Sequence, residues 1–280
     1  MTSRSVRRVV VLMIAMALVT SMPAASQAQL VVYDNFNSVR IDPDKWHGVQ
    51  LGGGPEAPTV EAIREILAGQ LRMGLTTYGG LTSSGRADGR NVLRVNTPAG
   101  IDTLQAKVTV VTATAEACPD SSDSAITSAL LIGAFFNDSG APPSSAQGDV
   151  FAFFRKLKTS ELGQIFEAVV RRCANADCSF VEDIGSAVFT KTWKTGAGAT
   201  HTMRLEWDKD NDQFLFLIDP GTSRQEVIAL SYLGHEDTNP PFADLKDLRI
   251  ENFPPNCPSG RKRASIEARF DDVMVNTPAP

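Results

Sequence analysis

The sequence predicts an all-β chain folded as a two-sheet antiparallel β-sandwich, and three observations carry that expectation. Runs rich in β-branched and aromatic residues alternate with Gly, Pro, Asn, Asp and Ser punctuation every 8 to 12 residues or so. Twelve such runs stand at 30–36, 71–78, 104–115, 126–136, 150–157, 164–172, 179–189, 200–207, 213–219, 226–232, 245–252 and 264–275. The roughly 250 residues behind position 28 are enough to bury a large core, and long sandwiches run to that length as one domain.

The first 28 residues read as a cleavable secretory signal. Arg4, Arg7 and Arg8 precede an apolar run at 9–19, and Ser26 and Ala28 hold the small positions of a cleavage site. That run is about half of what a membrane-spanning helix needs. The expected mature chain is therefore 29–280, secreted or periplasmic, with no transmembrane segment after cleavage. Removing three arginines and no acid from 27 basic and 32 acidic residues leaves 24 and 32, a net charge of −8. An acidic balance argues against nucleic acid or an anionic membrane as the main partner, because both reward a dense basic face. The cluster Arg261, Lys262, Arg263 follows a Pro/Gly turn and reads as a solvated loop.

All four cysteines, Cys118, Cys173, Cys178 and Cys257, belong to the mature chain. In an exported protein an even count points to disulfides, and four cysteines allow three pairings. The Ala-Asn-Ala-Asp spacer between Cys173 and Cys178 is turn-like and pairs those two, leaving Cys118 for Cys257 by elimination. Zinc-type spacings are missing.

One segment reads two ways. Residues 59–69, TVEAIREILAG, have a Thr cap, good helix formers, apolar spacing at Val60, Ile63 and Leu67, and a terminal Gly, as a short helix would. With period 2, Val60, Ala62, Arg64 and Ile66 share one face, and Glu61, Ile63 and Glu65 the other. In the run 213–219, Phe214, Phe216 and Ile218 alternate with Leu215 and Leu217, so both faces are apolar and a central position in a sheet is expected. The acidic stretch 208–212 gives that strand a polar turn, and Asp219-Pro220-Gly221 ends it. Loops are expected at 51–58, 82–90, 137–148 and 239–241. Asn137-Asp138-Ser139 matches a glycosylation sequon, a cheap match.

Three stretches together resemble the concanavalin A-like lectin/glucanase superfamily of jelly-roll sandwiches. They are YDNFNSVRIDPDKWHG at 33–48, THTMRLEWDKDNDQFLFLIDPG at 200–221 and ARFDDVMVN at 268–276. The first is similar to an opening strand with Asp-x-Phe, a loop and a Trp. The second is similar to a hairpin with a His-led strand, a Glu-Trp pair and an aromatic strand, and the third to a closing strand beside the opening one. The resemblance spans the mature chain and implies a jelly roll, reads 59–69 as a strand, and implies a carbohydrate or cell-surface glycan as partner.

The hydrolases of that superfamily carry alternate carboxylates on one strand, as Glu-x-Asp-x-Glu or a bulged variant. The nearest match here, Glu206, Asp208 and Asp210, runs into a turn, ends in Asp and falls on a strand that is non-catalytic in the superfamily. A non-catalytic, lectin-like protein is therefore expected. The alternatives are a glycoside hydrolase or lyase with an atypical acid pair, and a structural or adhesive envelope module. Glu61 and Glu65 on one strand face, and Glu167 in QIFEAVVRR, are the other acids open to ligand contact. Among aromatics, Trp193 beside KTGAGAT and Tyr78 beside Gly79 and Gly80 are the candidate sugar platforms, while Trp46 and Trp207 read as core. The resemblance also implies that Asp34 meets Asp271 or Asp272 across neighbouring strands, where a structural Ca²⁺ would find oxygen ligands. His47, His201 and His235 lack metal-ligand spacing, and neither a G-x-S-x-G nucleophile motif nor a Gly-rich phosphate loop occurs.

Overall fold

Period-2 burial runs through the strands. Gln70–Tyr78 alternates half-buried and buried positions along its whole length, and Thr200–Asp208 does nearly the same, so each sheet sends every second side chain into a shared core. The structure, a computed structural model, describes residues 29–52, 60–96, 99–140, 142, 144–190 and 198–276. The expected signal at 1–28 and Trp193 lie outside the described residues.

Fifteen strands are described. In chain order they are β1 (Leu30–Asp34), β2 (Trp46–Gly52), β3 (Val60–Leu67), β4 (Gln70–Tyr78), β5 (Gly89–Val95), β6 (Thr103–Ala115), β7 (Ile126–Asn137) and β8 (Asp149–Thr159). There follow β9 (Gln164–Cys173), β10 (Val181–Val188), β11 (Thr200–Asp208), β12 (Gln213–Ile218), β13 (Glu226–Ser231), β14 (Lys246–Phe253) and β15 (Arg263–Asn276). One sheet has the order β13-β12-β11-β6-β15-β4-β3, with β1 also paired to β15. The other has the order β10-β9-β8-β7-β14-β5-β2. All pairings are antiparallel, and the two sheets stack as a jelly-roll sandwich. No helix among the described residues is long and apolar enough to cross a membrane.

Aromatic rings fill the space between the sheets. At one end Trp207, Phe135, Phe136, Phe214 and Tyr232 interlock, and Phe154, Phe166, Phe189 and Phe216 continue the stack. A register shift between Ala134 and Phe136 on β7 lets two successive phenylalanines enter the core. Polar ties cross the gap as well. The buried Asn252 amide of β14 donates to Leu75 O and Ala264 O, and the Asn91 amide of β5 donates to Ile63 O and Gly74 O. Each pays its desolvation back in hydrogen bonds to the opposite sheet.

The ambiguous segment is strand β3. Ala68 and Gly69, at φ 52° and 74°, form the two-residue turn into β4. The glycine that resembles a helix stop is serving as a hairpin residue, and the pairing with β4 outweighs local helix propensity. The opening motif also has a physical basis. Asp34 accepts the Trp46 indole N–H at 2.7 Å and the Phe36 amide at 2.8 Å, while Trp46 packs on Phe36 and Tyr33.

Two expectations are corrected. Strand β12 is not central but next to the sheet edge formed by β13. Its outward Leu217 is nevertheless buried, with Arg204 and Val227 as its cross-strand neighbours. Strands β2 and β5 extend into the stretches 51–58 and 82–90 read as loops. Both disulfides form as paired from the sequence, Cys118 with Cys257 and Cys173 with Cys178. The sequon residue Asn137 is buried, its amide donating to Gln147 O and Asp149 Oδ1, which leaves it a poor glycan acceptor.

Candidate functional site

Sheet parity decides which side chains leave the core. Leu131, Phe154, Ala168 and Leu248 point inward, so their neighbours on β7, β8, β9 and β14 emerge on the far face of the seven-stranded sheet. There a groove of about 730 Å³ opens. Its apolar part is Leu130, Ile132, Phe151 and Phe153, with Phe242 and Phe253 at its margins. Its polar part is dominated by arginine.

Strand β14 presents Asp247, Arg249 and Glu251 at alternate positions. The Arg249 guanidinium bridges the two acids, at 2.8 Å to Asp247 Oδ2 and 3.0 Å to Glu251 Oε1. On the neighbouring strand β5, Arg94 meets the fully buried Asp247 at 2.8 Å, and Arg90 meets Asp88 at 2.6 Å. Burial works against the charge on Arg249, but Glu251 and Asp247 together outweigh it and raise its pKa. Across the groove, Arg155 pairs with Glu167 and Arg171 with Asp183. Both guanidiniums also lie over the Phe153 ring, 5.2 and 5.3 Å from its centroid.

Asp149 closes one end. It accepts the Phe242 amide N–H at 3.0 Å and the Asn137 amide at 2.8 Å, so it holds the loop that carries Phe242. Burial raises its pKa despite those bonds. The Cys173–Cys178 loop also lines the groove. A second depression of about 530 Å³ involves Trp207, Asp102, Asp237 and Asp244. Its charges are satisfied internally: Lys209 lies over Trp207 and near Asp102, and the buried Lys246 binds Asp244.

Of the described sequence candidates, Glu167 is the one on the sheet face that bears the groove, behind the lining residue Arg155. Glu61, Glu65 and Tyr78 share the outer face of the eight-stranded sheet instead, by the parity of β3 and β4, on the opposite side of the sandwich. Glu65 there pairs with Arg72, which also binds Glu267. Glu206 and Asp208 lie on that outer face too. Asp208 accepts bonds from Asn211 and Gln213, and His201 is buried against Asp219.

Asp34, Asp271 and Asp272 are not gathered into one set of metal-type ligands among the described residues. Asp34 commits both oxygens to Trp46 and Phe36, Asp272 pairs with Lys107 at 2.5 Å, and Asp271 accepts from Gln70 and the Asp272 amide. Among the described residues the one cluster of three metal-type groups is Cys118, Asp120 and Cys257, and its two sulfurs are spent in a disulfide. The groove's own residues went unread in the sequence. The available signal was the alternation Asp247-x-Arg249-x-Glu251 with Arg90 and Arg94, four apart, on the strand beside it.

No protein-family model and no curated protein matches the chain. Among solved structures it is similar to an immunostimulatory antigen and pseudo β-1,3-glucanase of Mycobacterium tuberculosis. That match has 12% identity and a TM-score of 0.41, over 87% of this chain and 98% of the other. A glycoside hydrolase family protein from Mycobacterium thermorestibile matches at 13% identity and TM-score 0.44, over 87% and 99%. The carbohydrate recognition domain of Emp47p matches at 10% identity and TM-score 0.39, over 86% and 94%. All three scores lie below 0.5, so the jelly-roll assignment rests on the strand order described above.

Proposed function

We propose that the chain is a secreted or periplasmic, non-catalytic carbohydrate-binding protein whose glycan lies in the groove of the seven-stranded sheet. The observation that carries this reading is the state of the carboxylates on the sheet face that bears the groove, of which Glu251 lines it. Cleavage of a glycosidic bond needs one carboxyl group to deliver a proton and a second to act as nucleophile or base, with the bond between them. Here Asp247 and Glu251 are bridged by one guanidinium standing between them, and Glu167 is held by Arg155. Such carboxylates hold the guanidiniums in place, and the arginines with Glu251 and Asp149 of the lining offer the polar edge that sugar hydroxyls require. Two disulfides accord with an oxidising compartment.

Asp149 favours the second reading, a hydrolase or lyase. It is a groove acid that no arginine holds among the described residues, and its raised pKa suits proton donation. Isothermal titration against a panel of oligosaccharides, with and without Ca²⁺, alongside a reducing-sugar assay, separates the alternatives. The expected result is binding without product release and without a calcium requirement. Release of reducing ends that is lost in Asp149→Asn supports the enzyme instead. Neither binding nor turnover leaves a structural or adhesive module and sinks the proposal.

A further inference from the structure

We infer that the glycan the groove accepts is anionic, carrying uronic-acid carboxylates along its length; this rests on the binding role proposed above. Among the described residues six arginines line the groove, Arg86, Arg90, Arg94, Arg155, Arg171 and Arg249, and no lysine does, against Asp149, Asp177 and Glu251. This concentration occurs in a chain whose overall charge is −5. Further acids stand behind the arginines, and at Arg171 the acid orients the guanidinium without exhausting it. Arg171 commits its Nε to Asp183 at 2.6 Å, and its two terminal nitrogens have no protein partner among the described residues. Arg249, 9% exposed, is spent on Asp247 and Glu251 with its Nε shut off from solvent, so it frames the groove and leaves the ligand to its neighbours. A guanidinium held by one carboxylate presents its remaining N–H groups in a fixed plane, the geometry that receives a second carboxylate in bidentate fashion.

The aromatic side of the groove points the same way. Neutral pyranoses are commonly seated on an open Trp or Tyr face, and among the described residues neither lines this groove. Phe153 is already engaged by two guanidiniums, at 5.2 and 5.3 Å. What a ligand meets there is cationic N–H as much as bare ring.

The test uses oligogalacturonates of four to six residues and the same oligomers with every carboxyl methyl-esterified, which keeps the sugar and removes the charge. A neutral β-glucan oligomer of equal length is the third probe. At low salt the free acid should bind at least about tenfold more tightly than its ester. That preference should fall as NaCl is raised. Arg171→Gln, at a half-exposed position whose partner Asp183 is exposed, should lose most of the preference with its melting temperature unchanged. Equal binding of acid and ester, or an undiminished preference in Arg171→Gln, overturns the inference. If the ester or the glucan binds and the acid does not, the inference fails while the carbohydrate-binding role stands. If no probe and no member of the wider panel binds, both fail.

Discussion

Lys156 offers the sharpest test of the energetics. It sits on β8 on the inward side, 1% exposed, with its ammonium 3.3 Å from Ala199 O and 5.7 Å from the centroid of the Phe166 ring. No carboxylate pairs with it among the described residues. Burial pushes its pKa down to about 8. In the unfolded chain the same group titrates near 10.4, so between about pH 8 and 10.4 the unfolded state binds more protons than the folded one. Stability contributed at this site therefore rises with pH across that window. Below about pH 8 the full penalty applies, about 3 kcal/mol at 1.36 kcal/mol per unit. Replacing the lysine by methionine keeps the length of the chain and removes the buried charge. After the lost bond to Ala199 is deducted, Lys156→Met should be about 1 to 3 kcal/mol more stable than the parent at pH 7. The difference should vanish or reverse near pH 10. Urea titrations of both proteins at the two pH values measure it. Lys246, whose pKa burial also lowers, is present in both and cancels. A variant less stable than its parent by more than about 1 kcal/mol at pH 7, or a gap independent of pH, refutes the reasoning.

The remaining predictions concern the frame. The two disulfides should be unequal, because Cys118–Cys257 spans a separation of 139 residues and Cys173–Cys178 one of 5. Chain entropy assigns about 5 kcal/mol to the first and about 2 kcal/mol to the second, so paired Cys→Ser variants should differ clearly in urea midpoint, and equal losses would count against the account. Gly79→Ala should destabilise, since a Cβ there would stand 2.1 Å from Pro255 O, a backbone atom with no rotamer to yield. Gly163→Ala, with nothing within 4 Å, is the control, and thermal melts that fail to separate the two would contradict the packing at Gly79.

The strands that the sequence missed and those it showed differ for a physical reason. The runs it showed carry β-branched and aromatic side chains at alternating positions, and their pattern survives because each faces a shared core. Strands β2 and β5 contain Gly48 and Gly89, which resemble turn punctuation. Both are glycine because the opposite sheet intrudes: a Cβ at Gly48 would lie 2.4 Å from the Arg64 guanidinium, and one at Gly89 2.1 Å from Thr77 Oγ1. Close approach between sheets and a reversal of the chain thus leave the same letter in the sequence. The groove was hidden by a different ambiguity. Periodicity places Glu61 with Glu65 on one face and Arg249 with Asp247 and Glu251 on another, but it does not say which face looks into a concave surface. That choice is made by strand order, which sets β14 beside β5 and β7 and brings together arginines as far apart in sequence as Arg94 and Arg249. Exposed acids were therefore the visible candidates, although the chemistry of the groove lies in half-buried cations. Only with β14 placed inside its sheet, between β7 and β5, does Asp247-x-Arg249-x-Glu251 become legible as two acids tied by one guanidinium, a base that never gives up its proton.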